Sequence, residues 1–187
     1  VLIIGLTGMP GSGKGACQDA AKLFKIPVMS MGDIVRAEAE NLGLPLTCEV
    51  LGGIALCLRA EGNDAIAKRI YKKVQAYMRK NPSTKAILVD GIRSLEELKY
   101  FRKKFDKFEL IAIYSPPRTR FERLLKRNRS DDYSTWKEFQ NRDFREILLG
   151  IGGAIALADH IVLNTGTLEE LQNSSESIVK NILSNYY

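Results

Sequence analysis

The chain has 187 residues, 45% of them hydrophobic and 27% charged. That is enough for one full core plus a small insertion or lid, without disulfide or metal staples. The composition excludes a largely disordered chain, a collagen-like chain and a disulfide scaffold. The longest apolar runs, such as residues 1–6, fall far short of the roughly 18–20 residues of a membrane helix. No secretory signal is visible. The net charge of +6 arises from 28 Lys and Arg against 22 Asp and Glu, and suits polyanions or small phosphorylated substrates alike. Cys17, Cys48 and Cys57 are far apart, and His160 is the single histidine, so a zinc site is not expected. Reduced thiols in a cytoplasm are expected, with a Cys48–Cys57 disulfide left open for a hyperthermophilic source.

Strand-like and helix-like segments alternate along the chain. Residues 1–6 form an apolar strand, 13–24 a helix, 27–30 a second strand and 32–41 another helix. Residues 44–59 contain glycines and no clean period. A longer helix follows over 62–80, with Ile66, Ile70, Val74 and Tyr77 at helical spacing, broken by Asn81-Pro82-Ser83. Strands are expected at 86–89, 110–114 and 160–163. Helices are expected from Leu95 to about Phe105, and over 117–127, 133–149 and 167–183. Short apolar strands separated by helices imply one α/β domain with a parallel sheet covered on both faces.

The strongest motif is Gly8-Met9-Pro10-Gly11-Ser12-Gly13-Lys14, directly after the first strand. It fits the G-x-x-x-x-G-K phosphate loop. Glycines let consecutive amides turn inward toward phosphate oxygens, and the following helix adds its N-terminal partial charge. Lys14 supplies a point charge for β- and γ-phosphates. Gly15 and Ala16 stand where a magnesium-binding Ser or Thr commonly follows. Magnesium therefore falls to Ser12 or to a carboxylate further along. Asp90 ends the third strand and points toward the crevice at the carboxyl edge of the sheet, where it suits magnesium through water. Ser94 is the better cap for the next helix.

Residues 8–15 resemble the phosphate loop of adenylate kinase and other nucleoside monophosphate kinases, in which a glycine commonly follows the lysine. Ser30-Met31-Gly32-Asp33-Ile34-Val35-Arg36 resembles the segment of those kinases that carries an acceptor-binding arginine. Asp90-Gly91-Ile92-Arg93-Ser94 resembles their Asp-Gly-Phe-Pro-Arg stretch, one residue shorter. Arg129-Ser130-Asp131-Asp132 resembles the Arg-x-Asp-Asp after their lid. Residues 158–164 look more like dephospho-coenzyme A kinase. Together the motifs most resemble an archaeal group of adenylate-kinase-related P-loop proteins. The lid before Arg129 is nearly absent, which leaves the donor half intact and the acceptor open.

The resemblance implies a three-layer P-loop fold: a five-stranded parallel sheet with helices on both faces, an acceptor-binding insertion near 31–62 and a short arginine-rich lid near 117–145. It implies ATP and Mg2+, with Gly8, Met9, Pro10, Gly11, Ser12, Gly13, Lys14, Gly15, Ala16 and Asn164 around the nucleotide. Asp90 and Ser12 would serve the metal, and Asp33, Arg36 and Arg93 the acceptor. Thirteen arginines are present. Arg123, Arg127, Arg129 and Arg142 are candidates to close over the transferring group with Lys14 and Arg93; one such arginine is worth roughly 10³–10⁵ in rate where the finger case applies. Arg102, Arg118 and Arg120 read as surface ion-pair residues, while Phe121, Leu124 and Leu125 form the apolar stripe expected to pack on the sheet. Trp136 and Tyr133 read as core. The function expected is a kinase acting on a nucleoside monophosphate. Dephospho-coenzyme A kinase-like phosphorylation of a hydroxyl remains open, as does an ATP-binding switch. No membrane partner is expected, and no specific nucleic acid, because aromatics do not interleave with the basic residues.

Overall fold

The structure, a computed structural model, describes residues 1–127 and 135–187. Five strands form one parallel sheet in the order β2-β3-β1-β4-β5: β1 Leu2–Thr7, β2 Val28–Ser30, β3 Ala86–Asp90, β4 Phe108–Tyr114 and β5 His160–Leu163. The central register runs from Leu2 opposite Ala86 to Leu6 opposite Asp90. On the other side β1 runs from Ile3 opposite Phe108 to Thr7 opposite Ala112. All four pairings are parallel, so every strand delivers its carboxyl end to one edge of the sheet.

Period-two alternation divides the core. Leu2, Ile4 and Leu6 join Leu88, Ile111, Ile113 and Val162 under α1 (Gly15–Leu23) and α9 (Leu168–Tyr186). Ile3, Ile87, Val89 and Leu110 face the other way. They pack with α2 (Met31–Asn41), α3 (Cys48–Ala60), α4 (Ala65–Lys80) and α5 (Leu95–Lys104). The sheet is thus a buried middle layer, which explains why its strands are nearly continuous apolar runs.

Local chemistry sets the helix starts. Ser94 Oγ accepts from the Glu97 amide at 3.1 Å, and Thr167 forms a capping box with Glu170. The segment over 44–59 is a helix, α3, started by Thr47, whose hydroxyl accepts from the Val50 amide. Leu51, Ile54, Ala55 and Leu58 do carry helical spacing; Gly52 and Gly53 and the exposed Leu56 and Cys57 hide it. A short helix absent from the sequence reading, α8 (Ile151–Ala156), begins after Gly150 at φ 100°. The remaining helices are α6 (Pro117–Arg127) and α7 (Trp136–Leu148). Among the described residues no helix is long and apolar enough to cross a membrane.

No disulfide joins any of the three cysteines. Cys48 and Cys57 stand nine positions apart on α3, which separates them by about 13.5 Å along the axis, beyond the reach of a disulfide. Cys17 is buried under α9, and burial pushes its thiol from 9.0 up to about 11. The raised value favours the folded state below pH 9, and that contribution is lost as pH rises through about 11. At pH 8 a thiol reagent is expected to modify the exposed Cys57 rapidly and Cys17 only on unfolding. Equal labelling rates in native protein would contradict this packing.

Candidate nucleotide and acceptor site

The phosphate loop turns at the carboxyl end of β1. Gly8 and Gly13 adopt φ of 146° and 98°, conformations that L side chains rarely take. Contacts forbid a side chain as well: a Cβ on Gly13 would lie 2.3 Å from Asn164 Nδ2, and one on Gly8 2.6 Å from the Ile113 carbonyl. Lys14 Nζ donates to the Gly8 carbonyl at 2.7 Å, folding the ammonium over its own loop. Burial lowers the Lys14 pKa; Asp90 opposes that shift, while Arg93 adds to it. Burial thus disfavours the Lys14 charge in the absence of an anion, and a bound phosphate would restore it. Gly15 and Ala16 open α1, whose first turn has no side-chain cap.

Asp90 lies beside Lys14 on β3, the neighbouring strand. Its Oδ2 accepts from Gln18 Nε2 of α1 at 2.8 Å. Its Oδ1 is buried and has no hydrogen-bond partner, and so is Ser12 Oγ. Two orphaned oxygens, one carboxylate and one hydroxyl, are hard donors that fit a magnesium ion. Among the described residues no group of three His, Cys, Asp or Glu could hold a metal.

Two side chains from distant segments brace the loop. Asn164, 3% exposed after β5, donates to the Ser12 carbonyl at 2.8 Å. Its other atom, Oδ1, accepts from Arg123 Nη2 at 2.9 Å, and Arg123 also donates to Ser115 Oγ. Arg120 corrects the surface reading: it is 3% exposed. It forms a two-pronged pair with Asp143, one prong at 2.9 Å, and donates to the Pro10 carbonyl at 3.1 Å. The buried face of α6 runs through Arg120 and Leu124, whereas Leu125 is exposed. Phe121 packs against Trp136 and Phe139, not on the sheet. Arg118 stands over Trp136, and Arg102 pairs at the surface with Asp159.

A cleft of about 530 Å³ opens between the α2–α3 wall and α7. Gly91 and Arg93, just after Asp90, line it. So do Arg36, Arg59, Arg142 and Arg145, against two carboxylates, Glu49 and Glu146. Arg93 Nη1 donates to Glu146 Oε1 at 2.6 Å, and the Glu146 charge raises the Arg93 pKa. Glu97 is fully buried and accepts from the Arg93 amide at 2.7 Å and from Arg59 Nη2 at 2.9 Å. Burial raises the Glu97 pKa, opposed by Arg59. Asp33 is exposed and pairs with Arg36 at 2.9 Å; it does not line the cleft.

The cleft and loop thus bring together Lys14, Ser12, Asp90, Arg36, Arg93 and Arg142. Arg123 and Asn164 sit at the loop's outer side, engaged with protein partners, and Arg127 is exposed at the end of α6. Arg129, Tyr133 and the rest of the Arg129–Asp132 motif lie outside the described residues. Sequence reasoning missed Gln18, Arg59, Glu97, Asp143 and Glu146 as parts of the site. The one available signal was the three-residue spacing of Asp143 and Glu146, which places both on one face of α7.

A parallel sheet in this strand order, with a phosphate loop after its central strand, defines a P-loop kinase fold. Similar chains agree. Shikimate kinase from Acinetobacter baumannii, solved with shikimate, aligns over 100% of this chain and 95% of its own, with TM-score 0.60 and 15% identity. Dephospho-CoA kinase from Campylobacter jejuni aligns over 99% and 98%, with TM-score 0.61 and 16% identity. A family profile described as an AAA domain matches residues 7–140. The UPF0200 protein of Methanocaldococcus jannaschii is 48% identical over 186 residues, 99% of this chain and 92% of its own length. The chain belongs to the UPF0200 family.

Arg120→Met is expected to cost about 3–5 kcal/mol, because it leaves Asp143 as an uncompensated buried charge. Adding Asp143→Leu should recover most of that loss in urea melts. An unaffected Arg120→Met midpoint would show that the pair does not brace the loop.

Proposed function

We propose that this chain is an ATP-dependent phosphotransferase that passes the γ-phosphoryl group of Mg-ATP to a small phosphorylated acceptor, a nucleoside monophosphate by class. One observation carries the reading: an arginine-lined cleft begins at Gly91 and Arg93, directly after the carboxylate that faces the phosphate loop. Donor and acceptor anions would then meet at one edge of the sheet.

In this reading Lys14 and the amides of residues 8–15 hold the triphosphate. Arg36 and Arg93 bind the acceptor phosphate, and Arg142 neutralises charge near the transferring group. Asp90 and Ser12 would hold magnesium, which supplies charge neutralisation at the phosphates when bound. The protein's contribution is positioning and electrostatic stabilisation, since phosphoryl transfer asks for little covalent chemistry. Arg123 and Asn164 act by keeping the loop in shape.

A second reading, phosphorylation of a hydroxyl, is favoured by Glu146. This carboxylate lines the cleft and keeps one oxygen without a partner, as the acceptance of a hydroxyl proton requires. Likeness to kinases named for shikimate and dephospho-CoA points the same way.

The deciding experiment is ADP release from Mg-ATP with AMP, CMP, UMP, GMP and dephospho-coenzyme A as acceptors. One nucleoside monophosphate should accelerate release strongly, and Lys14→Ala should lower that rate by about 10²–10³, the scale of losing a charge-stabilising donor. A response to dephospho-coenzyme A alone would favour the hydroxyl reading. A flat panel would overturn both.

A further inference from the structure

Helix α3 carries two adjacent glycines, Gly52 and Gly53, near the middle of its 13 residues. Glycine is among the least favourable residues inside a helix, so each needs a reason. The fold supplies none. Neither has a positive φ, and a Cβ at either position would meet nothing within 4 Å. Gly153 on α8 is the contrast: its Cβ would lie 2.8 Å from Leu95 Cγ, so close packing requires it. Both α3 glycines line the cleft.

The cleft around them is two-natured. Its inner end holds Arg36, Arg93 and Arg142. Two exposed apolar side chains also line it, Leu56 of α3 and Leu148 of α7, 56% and 85% exposed, with the exposed Glu49 and Arg145 on the same helices. Two further lining side chains, each more than nine-tenths buried, keep one polar atom without a partner: Arg59 Nε, a donor, and Glu146 Oε2, an acceptor. An occupant that matches all of this has an anionic end, a flat apolar body and an edge bearing both acceptors and donors. An aliphatic chain lacks the edge, and a bare phosphate lacks the body.

We infer that Gly52 and Gly53 are specificity-determining residues that leave α3 bare so that a flat nitrogen heterocycle of the acceptor, a nucleobase, lies against the helix backbone between Leu56 and Leu148. The inference rests on the acceptor reading of the cleft. Side chains at these positions would take the space of the ring while leaving the phosphate end untouched. Larger rings then suffer first.

The test uses the full chain and the double variant Gly52→Ala/Gly53→Ala, with Gly53→Leu as a second. Helix propensity acts alone in the free protein, so the double alanine variant should melt about 4 °C higher than wild type. The acceptor KM should nevertheless rise roughly tenfold or more, the scale of one methylene in a fitted pocket. The rise should be larger for AMP and GMP than for CMP and UMP, with the KM for ATP unchanged. Gly53→Leu should exaggerate it. Calorimetric binding of GMP and AMP without ATP runs in parallel. Unchanged acceptor KM and affinity in both variants overturn the inference while leaving the kinase reading intact. A lower melting point for the double alanine variant also overturns it, since the glycines would then serve the fold. Nucleotide binding that the variants weaken, without turnover in wild type, supports the slot and sinks the kinase reading. No nucleoside monophosphate binding by wild type overturns both.

Discussion

A phosphate loop has no ladder or helix of its own to hold it, and here Gly8, Gly11 and Gly13 all take positive φ. Its shape depends on carbonyl contacts from elsewhere. Asn164 bonds the Ser12 carbonyl and Arg120 the Pro10 carbonyl; they lie 152 and 110 residues away along the chain. Both braces are buried, where an unmade hydrogen bond is costly. Within the loop the Ser12 amide donates to the Met9 carbonyl at 3.0 Å, a tight turn that the two distant braces hold in place. Lys14 rests on the Gly8 carbonyl, an exchangeable contact for a group whose charge is disfavoured by burial until an anion arrives.

The parallel sheet converts that loop into a site. Because β1 lies between β3 and β4, the loop, Asp90 and the Ser115 region leave adjacent strands at one level. Registration of Leu6 with Asp90 sets the carboxylate beside the start of the turn. Gln18, one helical turn into α1, then fixes one oxygen of that carboxylate and leaves the other unpaired. A single hydrogen bond thereby orients a strand-end carboxylate.

Much of this was legible in the residues. Five strands and their order along the chain follow from short apolar runs between helical periods, and β5 and α6 match their expected bounds. The phosphate loop and Asp90 were legible because motif and strand end coincide. What failed has a physical pattern. α3 was obscured by glycines that serve no packing need and by apolar residues exposed to a cleft, so its period was blurred by the very features that make it a wall. Arg120 was misread because an arginine on a charged helix carries no local mark of burial; its partner Asp143 is 23 residues on. Arg59 and Glu97, 38 residues apart, were silent for the same reason. Long-range ion pairs leave no periodic signature.

Helix α7 ties these hidden pairs together. Asp143 and Glu146 stand one turn apart on its buried face, and each holds an arginine from a different part of the site. Asp143 holds Arg120, which bonds the phosphate loop; Glu146 holds Arg93, which lines the cleft. Removing either arginine would leave a buried carboxylate without its partner, which weakens the seating of α7. The two pairs differ in exposure: Arg120 is buried, whereas the Arg93 side chain is 37% exposed and borders open space. An incoming anion can therefore compete for Arg93 with Glu146 but has no path to Arg120. The same helix holds the phosphate loop through a closed pair and meets the cleft through an open one.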